Sequence, residues 1–172
     1  MKTDSDAQLE NLIQHVADTL LDAKLQLTTA ESCTGGWVAK CCTDLAGSSA
    51  WFDRGFIPYT NKAKQDLLSV SSTTLEKYGA VSIQTAIEMA EGALNNSQAS
   101  ISVAITGIAG PTGGTKTKPV GTVCFAFSIK NNPTISAQYL FNGDREMIRR
   151  QAVTTALEGI VKNARDTTHS MG

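Results

Sequence analysis

The sequence predicts an α/β fold in which helices cover both faces of a mixed β-sheet. Amphipathic segments with an apolar residue every three or four positions alternate with short apolar or β-branched runs, the order expected of a sheet wrapped by helices. Lys130-Asn131-Asn132-Pro133 separates two β-rich runs with turn chemistry, which introduces an antiparallel hairpin into the alternating pattern. No repeat, low-complexity tract or linker divides the 172 residues. Residues 1–172 are therefore expected to form one domain, with flexible tails over about 1–6 and 166–172. A domain of this size buries roughly 70% of its unfolded surface, so no disulfide or metal staple is required.

Leu9, Leu12, Ile13, Val16, Leu20 and Leu21 recur at helical spacing and predict a helix over 6–24. Leu25 to Thr29 follows as a short strand. Trp37, Val38, Cys41, Cys42 and Leu45 continue a second helical pattern over 34–45, which Gly47-Ser48-Ser49 stops. Gly55 to Thr60 is β-prone, and Pro58 within it points to an edge or a bulge because proline cannot donate to a ladder. Asn61 to Leu68 suits a short helix. Ser82 has N-cap chemistry for a helix with Ile83, Ala86, Ile87, Ala90, Ala93 and Leu94 inward, ending near Asn95-Asn96. Ile101 to Thr106 reads as a strand that enters the glycine-rich loop 107–114. Two further strands are expected at about 121–129 and 135–141. Asn142-Gly143-Asp144 then caps a last helix that buries Ile148, Ala152, Val153, Ala156, Leu157 and Ile160.

A formal net charge of -1 gives no reason to expect a nucleic acid or an anionic membrane as partner, and a small molecule is favoured. No apolar run approaches the length of a membrane span and the N-terminus lacks a signal-type apolar core, so a soluble, cytoplasmic protein is expected. The 4 cysteines show no paired metal-ligand spacing and are expected to be reduced and buried, with no bound metal or cofactor.

Thr28-Thr29-Ala30-Glu31-Ser32-Cys33-Thr34-Gly35-Gly36 ends a strand and opens a helix. A serine at such a junction lies against unpaired amides and the positive end of the helix dipole, which suits a nucleophile and its oxyanion. The backbone around Cys33, Thr34, Gly35 and Gly36 would supply those donors to Ser32. Glu31 suits either the orientation of a partner or a helix cap. Cys33 is a rival nucleophile, because a helix N-terminus can lower a thiol pKa. The 2 histidines, His15 in an amphipathic helix and His169 in the tail, are poorly placed as a base, so the partner of Ser32 would have to be a lysine. Lys64 follows Tyr59-Thr60-Asn61 at a strand end, where open α/β sheets gather their sites. To act as a base its pKa must fall by roughly 3 from about 10.4, on the order of 4 kcal/mol, and burial is the means. The competing reading is a solvated helix lysine like Lys62. Thr106 and the loop glycines Gly107, Gly110, Gly113 and Gly114, with Ala109 among them, would present a hydroxyl and open backbone amides to phosphate or ribose, or form turns alone. Arg145, in the first turn of the last helix, opposes the dipole and suits a ligand anion or an exposed position.

Thr-Ala-Glu-Ser-Cys-Thr-Gly-Gly at 29–36, Tyr-Thr-Asn-Lys-Ala-Lys at 59–64, Gly-Ala-Val-Ser at 79–82, Ile-Thr-Gly-Ile-Ala-Gly-Pro-Thr-Gly-Gly at 105–114, Lys-Pro-Val-Gly-Thr-Val at 118–123 and Gly-Asp-Arg at 143–145 together resemble the CinA C-terminal domain family, in order and over almost the whole chain. The resemblance implies a three-layer α/β/α sandwich that commonly forms a homodimer. For stand-alone members it implies hydrolysis of nicotinamide mononucleotide to nicotinic acid mononucleotide and ammonia through a Ser-Lys dyad, whose motif positions fall on Ser32 and Lys64. Tyr59 would then orient the dyad or pack on substrate, and Thr106 to Gly114 with Arg145 would hold ribose and phosphate. Ile57-Pro58-Tyr59 departs from the family pattern, in which a β-branched residue usually precedes the tyrosine, and the change would shift Tyr59 and Lys64 slightly. Two other classes stay open: a pyridine-nucleotide-binding or regulatory module without turnover, and a cysteine hydrolase using Cys33.

Overall fold

The computed structural model describes residues 4–169. Six helices, α1 (Asp4–Asp22), α2 (Trp37–Asp44), α3 (Asn61–Leu68), α4 (Ser72–Tyr78), α5 (Ile83–Asn95) and α6 (Arg145–His169), accompany five strands, β1 (Leu27–Glu31), β2 (Phe52–Phe56), β3 (Ile101–Gly107), β4 (Thr122–Ile129) and β5 (Ile135–Leu140). The strands form one sheet in the order β2-β1-β3-β4-β5. β1 runs parallel to β2 and to β3, whereas β3, β4 and β5 are antiparallel neighbours, which is the mixed sheet expected from the hairpin signal.

Strand alternation gives the two sheet faces different side chains. Leu27, Ile101, Val103, Ile105, Val123, Phe125 and Phe127 point to the face covered by α1, α2 and α6, where Val16, Leu20, Ala152 and Leu157 complete the larger core. Ala30, Ala104, Cys124 and Ala126 point to the opposite face, where α5 packs through Ala86, Met89, Ala90 and Ala93. Small residues on both sides bring α5 close to the sheet. Ser102 Oγ donates directly to Ala90 O at 2.7 Å. The result is a three-layer α/β/α sandwich with its heavier core under the terminal helices. Among the described residues, no helix is long and apolar enough to cross a membrane.

Local chemistry sets most helix starts. Thr60, Ser71 and Ser82 each accept an N–H from the residue three positions on, capping α3, α4 and α5. Asp144 accepts the Met147 N–H at 2.9 Å at the start of α6.

The structure moves several predicted boundaries. The strand expected at 55–60 lies at Phe52–Phe56, because the chain leaves the sheet before Pro58, which has no donor for a ladder. β2 is nevertheless an edge strand. The helix expected from Thr34 begins at Trp37, after a turn through Gly35 and Gly36. Helix α4 answers to no element of the sequence reading. Its Ser-Thr-Thr start has low helix propensity, and its support comes from Glu88, which accepts the Ser71 N–H and the Thr74 hydroxyl. Of the expected tails, 4–6 and 166–169 belong to α1 and α6, and 1–3 and 170–172 lie outside the described residues.

Candidate active site

The carboxyl ends of β1 and β3 converge on Ser32. Its N–H donates to Ile105 O at 2.9 Å, extending the parallel pairing by one residue, and only 7% of its surface is exposed. The chain then turns, with Gly35 N–H donating to Ser32 O and Trp37 N–H to Thr34 O, both at 3.1 Å. Gly35 and Gly36 adopt φ of 60° and 93°, a left-handed conformation that glycine adopts without steric cost.

Glu31 is fully buried beneath this turn. Its carboxylate accepts the Val38 and Ala39 N–H groups at 2.8 and 3.0 Å and the Thr34 hydroxyl at 2.8 Å. Burial pushes its pKa up, against these donors. Of its two sequence readings, Glu31 is therefore the helix cap. Of the four residues expected to supply oxyanion donors, Gly35 has its amide on Ser32 O, while the α2 amides of Val38 and Ala39 serve Glu31. The Cys33, Thr34 and Gly36 N–H groups have no protein acceptor among the described residues, and the first two directly follow Ser32.

Lys64 reaches Ser32 from the first turn of α3. Its side chain is 2% exposed, and Nζ lies 3.2 Å from Ser32 Oγ, 3.1 Å from Pro58 O and 3.3 Å from Tyr59 O. Tyr59 N–H donates to Ile57 O at 2.9 Å, closing a three-residue turn centred on Pro58 whose ring-fixed φ suits it. The proline thus presents both carbonyls to the amine. Burial lowers the Lys64 pKa from its usual 10.5, and no carboxylate pairs with it among the described residues. The three N–H bonds of the ammonium match these three oxygens, and loss of one proton would leave a lone pair for the Ser32 hydroxyl.

Ser32, Lys64, Tyr59, Thr106 and Arg145 line a cavity of about 240 Å³, with Cys33, Gly107 and Ala109 in its wall. Arg145 donates to Gly110 O at 2.8 Å and to the Tyr59 hydroxyl at 3.2 Å across its mouth. Tyr59 has two attachments, a carbonyl on the lysine and a phenol at the rim, where the residue is 56% exposed. The Thr106 hydroxyl is occupied by Ala80 O at 2.7 Å. Gly110, Gly113 and Gly114 do not line this cavity. A Cβ at Gly110 would lie 2.5 Å from Val120 Cγ1 and one at Gly114 2.7 Å from Val120 N, so at those two positions the loop packs on its own return. Thr34, Gly35 and Gly36 border a different cavity.

Cys33 is 6% exposed and burial pushes its thiol up to about 12, so it carries no thiolate near neutrality. Sequence reasoning passed over Thr60, Asn61, Ala80 and Val81, which also line the Ser32 cavity, and Arg149. Arg149 Nε donates to Cys33 O at 3.0 Å and Nη2 to Thr34 O at 3.1 Å, while the guanidinium lies over the Trp37 ring, 5.5 Å from its centroid. Its spacing of four from Arg145 on α6, which places both on one helix face, was the available signal.

Comparison with known proteins agrees with this architecture. The model of the CinA C-terminal domain matches residues 9–164. The chain belongs to the CinA C-terminal domain family. A member from Escherichia coli K12, nicotinamide-nucleotide amidohydrolase PncC, is 50% identical over 154 residues, 90% of this chain and 93% of that protein. A CinA-like protein of Leptospira biflexa is 44% identical over 148 residues, which are 86% of this chain and 36% of the relative. Among solved CinA structures, competence/damage inducible protein CihA from Agrobacterium tumefaciens superposes with a TM-score of 0.87 at 46% identity, covering 90% of this chain and 94% of its own. An Escherichia coli CinA superfamily protein gives 0.87 at 41% identity, with 94% and 92% covered.

Proposed function

We propose that this chain hydrolyses the carboxamide of nicotinamide mononucleotide, releasing ammonia and nicotinic acid mononucleotide, with Ser32 as nucleophile and Lys64 as its base. The observation that carries the reading is the 3.2 Å approach of a buried lysine amine to a buried serine hydroxyl. The 50% identity to nicotinamide-nucleotide amidohydrolase supports the choice of substrate.

Lys64, in its neutral form, takes the Ser32 proton as Oγ adds to the carboxamide carbon. The Cys33 and Thr34 amides stabilise the oxygen that gains charge, a task for which a donor fixed in advance is worth far more than a solvent molecule. Lys64 returns its proton to the nitrogen, ammonia leaves, and an ester joins the acyl group to Ser32. Water enters, loses a proton to Lys64 and attacks the ester. Lys64 protonates the departing Ser32 oxygen, and the product leaves as an acid. Arg145 at the cavity mouth provides the positive charge for the nucleotide phosphate. A hydrolase built on Cys33 is disfavoured by the thiol's high pKa.

The experiment is ammonia release from nicotinamide mononucleotide by the wild-type chain, Ser32→Ala and Lys64→Ala, with folding followed separately by circular dichroism. Loss of roughly a thousandfold or more in each folded variant is expected. Undiminished turnover in either would sink the dyad.

A further inference from the structure

The Arg149 side chain reaches the segment after Ser32 from the side away from Lys64. It borders a cavity of about 610 Å³ that shares none of its walls with Ser32, Lys64 or Tyr59. Both hydrogen bonds from its guanidinium go to successive carbonyls, those of Cys33 and Thr34. In a trans peptide the C=O and the following N–H point in opposite directions. Two carbonyls drawn to one guanidinium therefore turn the N–H groups of Thr34 and Gly35 to the other side. That side is the one away from the Arg149 cavity, where Cys33 walls the Ser32 cavity and the Gly35 N–H meets the Ser32 main-chain carbonyl. The Thr34 N–H is turned the same way, in a residue with no exposed surface, and has no protein acceptor among the described residues. Buried amides are almost always paired, so an unpaired one beside a nucleophile is a donor held for a reacting group.

We infer that Arg149 is a positioning residue that fixes the Cys33–Thr34 peptide so that the Thr34 N–H faces the oxyanion formed at Ser32. The inference rests on the amidase reading above and adds how its oxyanion donor is held. Arginine suits the task because its planar fork spans two acceptors and stays charged at every working pH. Trp37 supports the guanidinium from one face, and the 5.5 Å stacking distance lies within cation–π range. Without the fork, the Cys33–Thr34 peptide can rotate and turn a carbonyl toward the developing charge.

Steady-state kinetics on nicotinamide mononucleotide with wild type, Ser32→Ala, Arg149→Lys and Arg149→Met test this, with pyridine-3-boronic acid as a probe that Ser32 converts to a charged tetrahedral adduct. Arg149→Met is expected to lower kcat roughly a hundredfold, the scale for one lost oxyanion donor, with KM within about threefold of wild type. Boronate affinity should fall in parallel with kcat, and the acid limb assigned to Lys64 should keep its position. Arg149→Lys keeps the charge and stem but serves one carbonyl at a time. It should lose at least about tenfold in kcat, and it covers the case in which the methionine variant does not fold. A folded Arg149 variant with kcat within about threefold of wild type, or a loss confined to KM with boronate affinity unchanged, overturns the assignment. If the wild type releases no ammonia, or Ser32→Ala retains turnover, the amidase reading falls and the inference with it. A dead Ser32→Ala beside a fully active Arg149→Met removes the inference alone.

Discussion

Two cations meet the Ser32 segment from opposite sides, and the protein treats them differently. Lys64 is sealed at 2% exposure among a hydroxyl and two carbonyls, with no carboxylate paired to it among the described residues. Arg149 is half-buried, stacked on Trp37 and hydrogen-bonded to two carbonyls of the next turn. Burial without a counter-charge favours loss of a proton from an ammonium, whereas a guanidinium keeps its proton under any such pressure. On the proposed mechanism, the same kind of partner, a pair of backbone carbonyls, serves a base in one residue and a fixed support in the other. The difference lies in the intrinsic basicity of the side chain, and the geometry exploits it.

The strongest way to break this comparison is Lys64→Met. If the lysine is the base, turnover falls by roughly a thousandfold or more while the fold persists, a loss larger than that expected of any Arg149 variant. Ammonia release and thermal melting measured together check it. Retained turnover would make both cations supports.

Glu31→Ala is next in size and concerns stability. It leaves the Val38 and Ala39 amides and the Thr34 hydroxyl unpaired in a buried place, and should cost about 2–3 kcal/mol in urea unfolding. A loss below about 1 kcal/mol would mean that the turn holds itself without the cap.

The pH dependence sharpens the contrast by acting on one cation alone. Because burial lowers the Lys64 pKa, kcat/KM should rise about tenfold per pH unit on its acid limb and level off below 10.5. Stability carries the same signature. The cost of burying the ammonium is fully present below the folded pKa and disappears as pH rises toward the unfolded value of 10.5, so wild type gains on Lys64→Met across that window. Melting curves of both proteins at stepped pH measure the trend, and a constant difference would place no shifted lysine in the fold.

The smallest effect belongs to Tyr59→Phe. The carbonyl that holds Lys64 is retained and only the phenol contact to Arg145 is lost, so kcat should change by less than about fivefold, the scale of one exposed hydrogen bond. A loss near that of Lys64→Met would assign the phenol a direct part in the reaction.

Much of the fold was legible because periodicity reports burial. The apolar stripes of α1, α5 and α6, the hairpin at Lys130 to Pro133 and the cap at Ser82 are local signals that the tertiary structure uses without change. The misreadings have local causes too. Glycines at 35 and 36 delay α2, Pro58 ejects the chain from β2, and α4 draws its support from Glu88, seventeen positions after Ser71. Within the site, Ser32 was legible from the strand-to-helix junction, and Lys64 became so only with the ordered motifs of a known family. Arg149 was missed, since a helix arginine that binds two distant carbonyls looks in sequence like a solvated one.

By itself the sequence determined the alternation of helix and strand, the mixed character of the sheet and the short supply of histidine, which together demand a lysine for any serine chemistry. Those properties depend on residue type and near-neighbour spacing, which sterics and hydrophobic patterning translate directly into local structure. The tertiary structure alone decided which lysine is dry, which amides of the Ser32 turn are already occupied and which carbonyls face each cation. Each of these depends on the direction of a peptide plane or the loss of water at one atom, set by segments as far apart as Cys33 and Arg149.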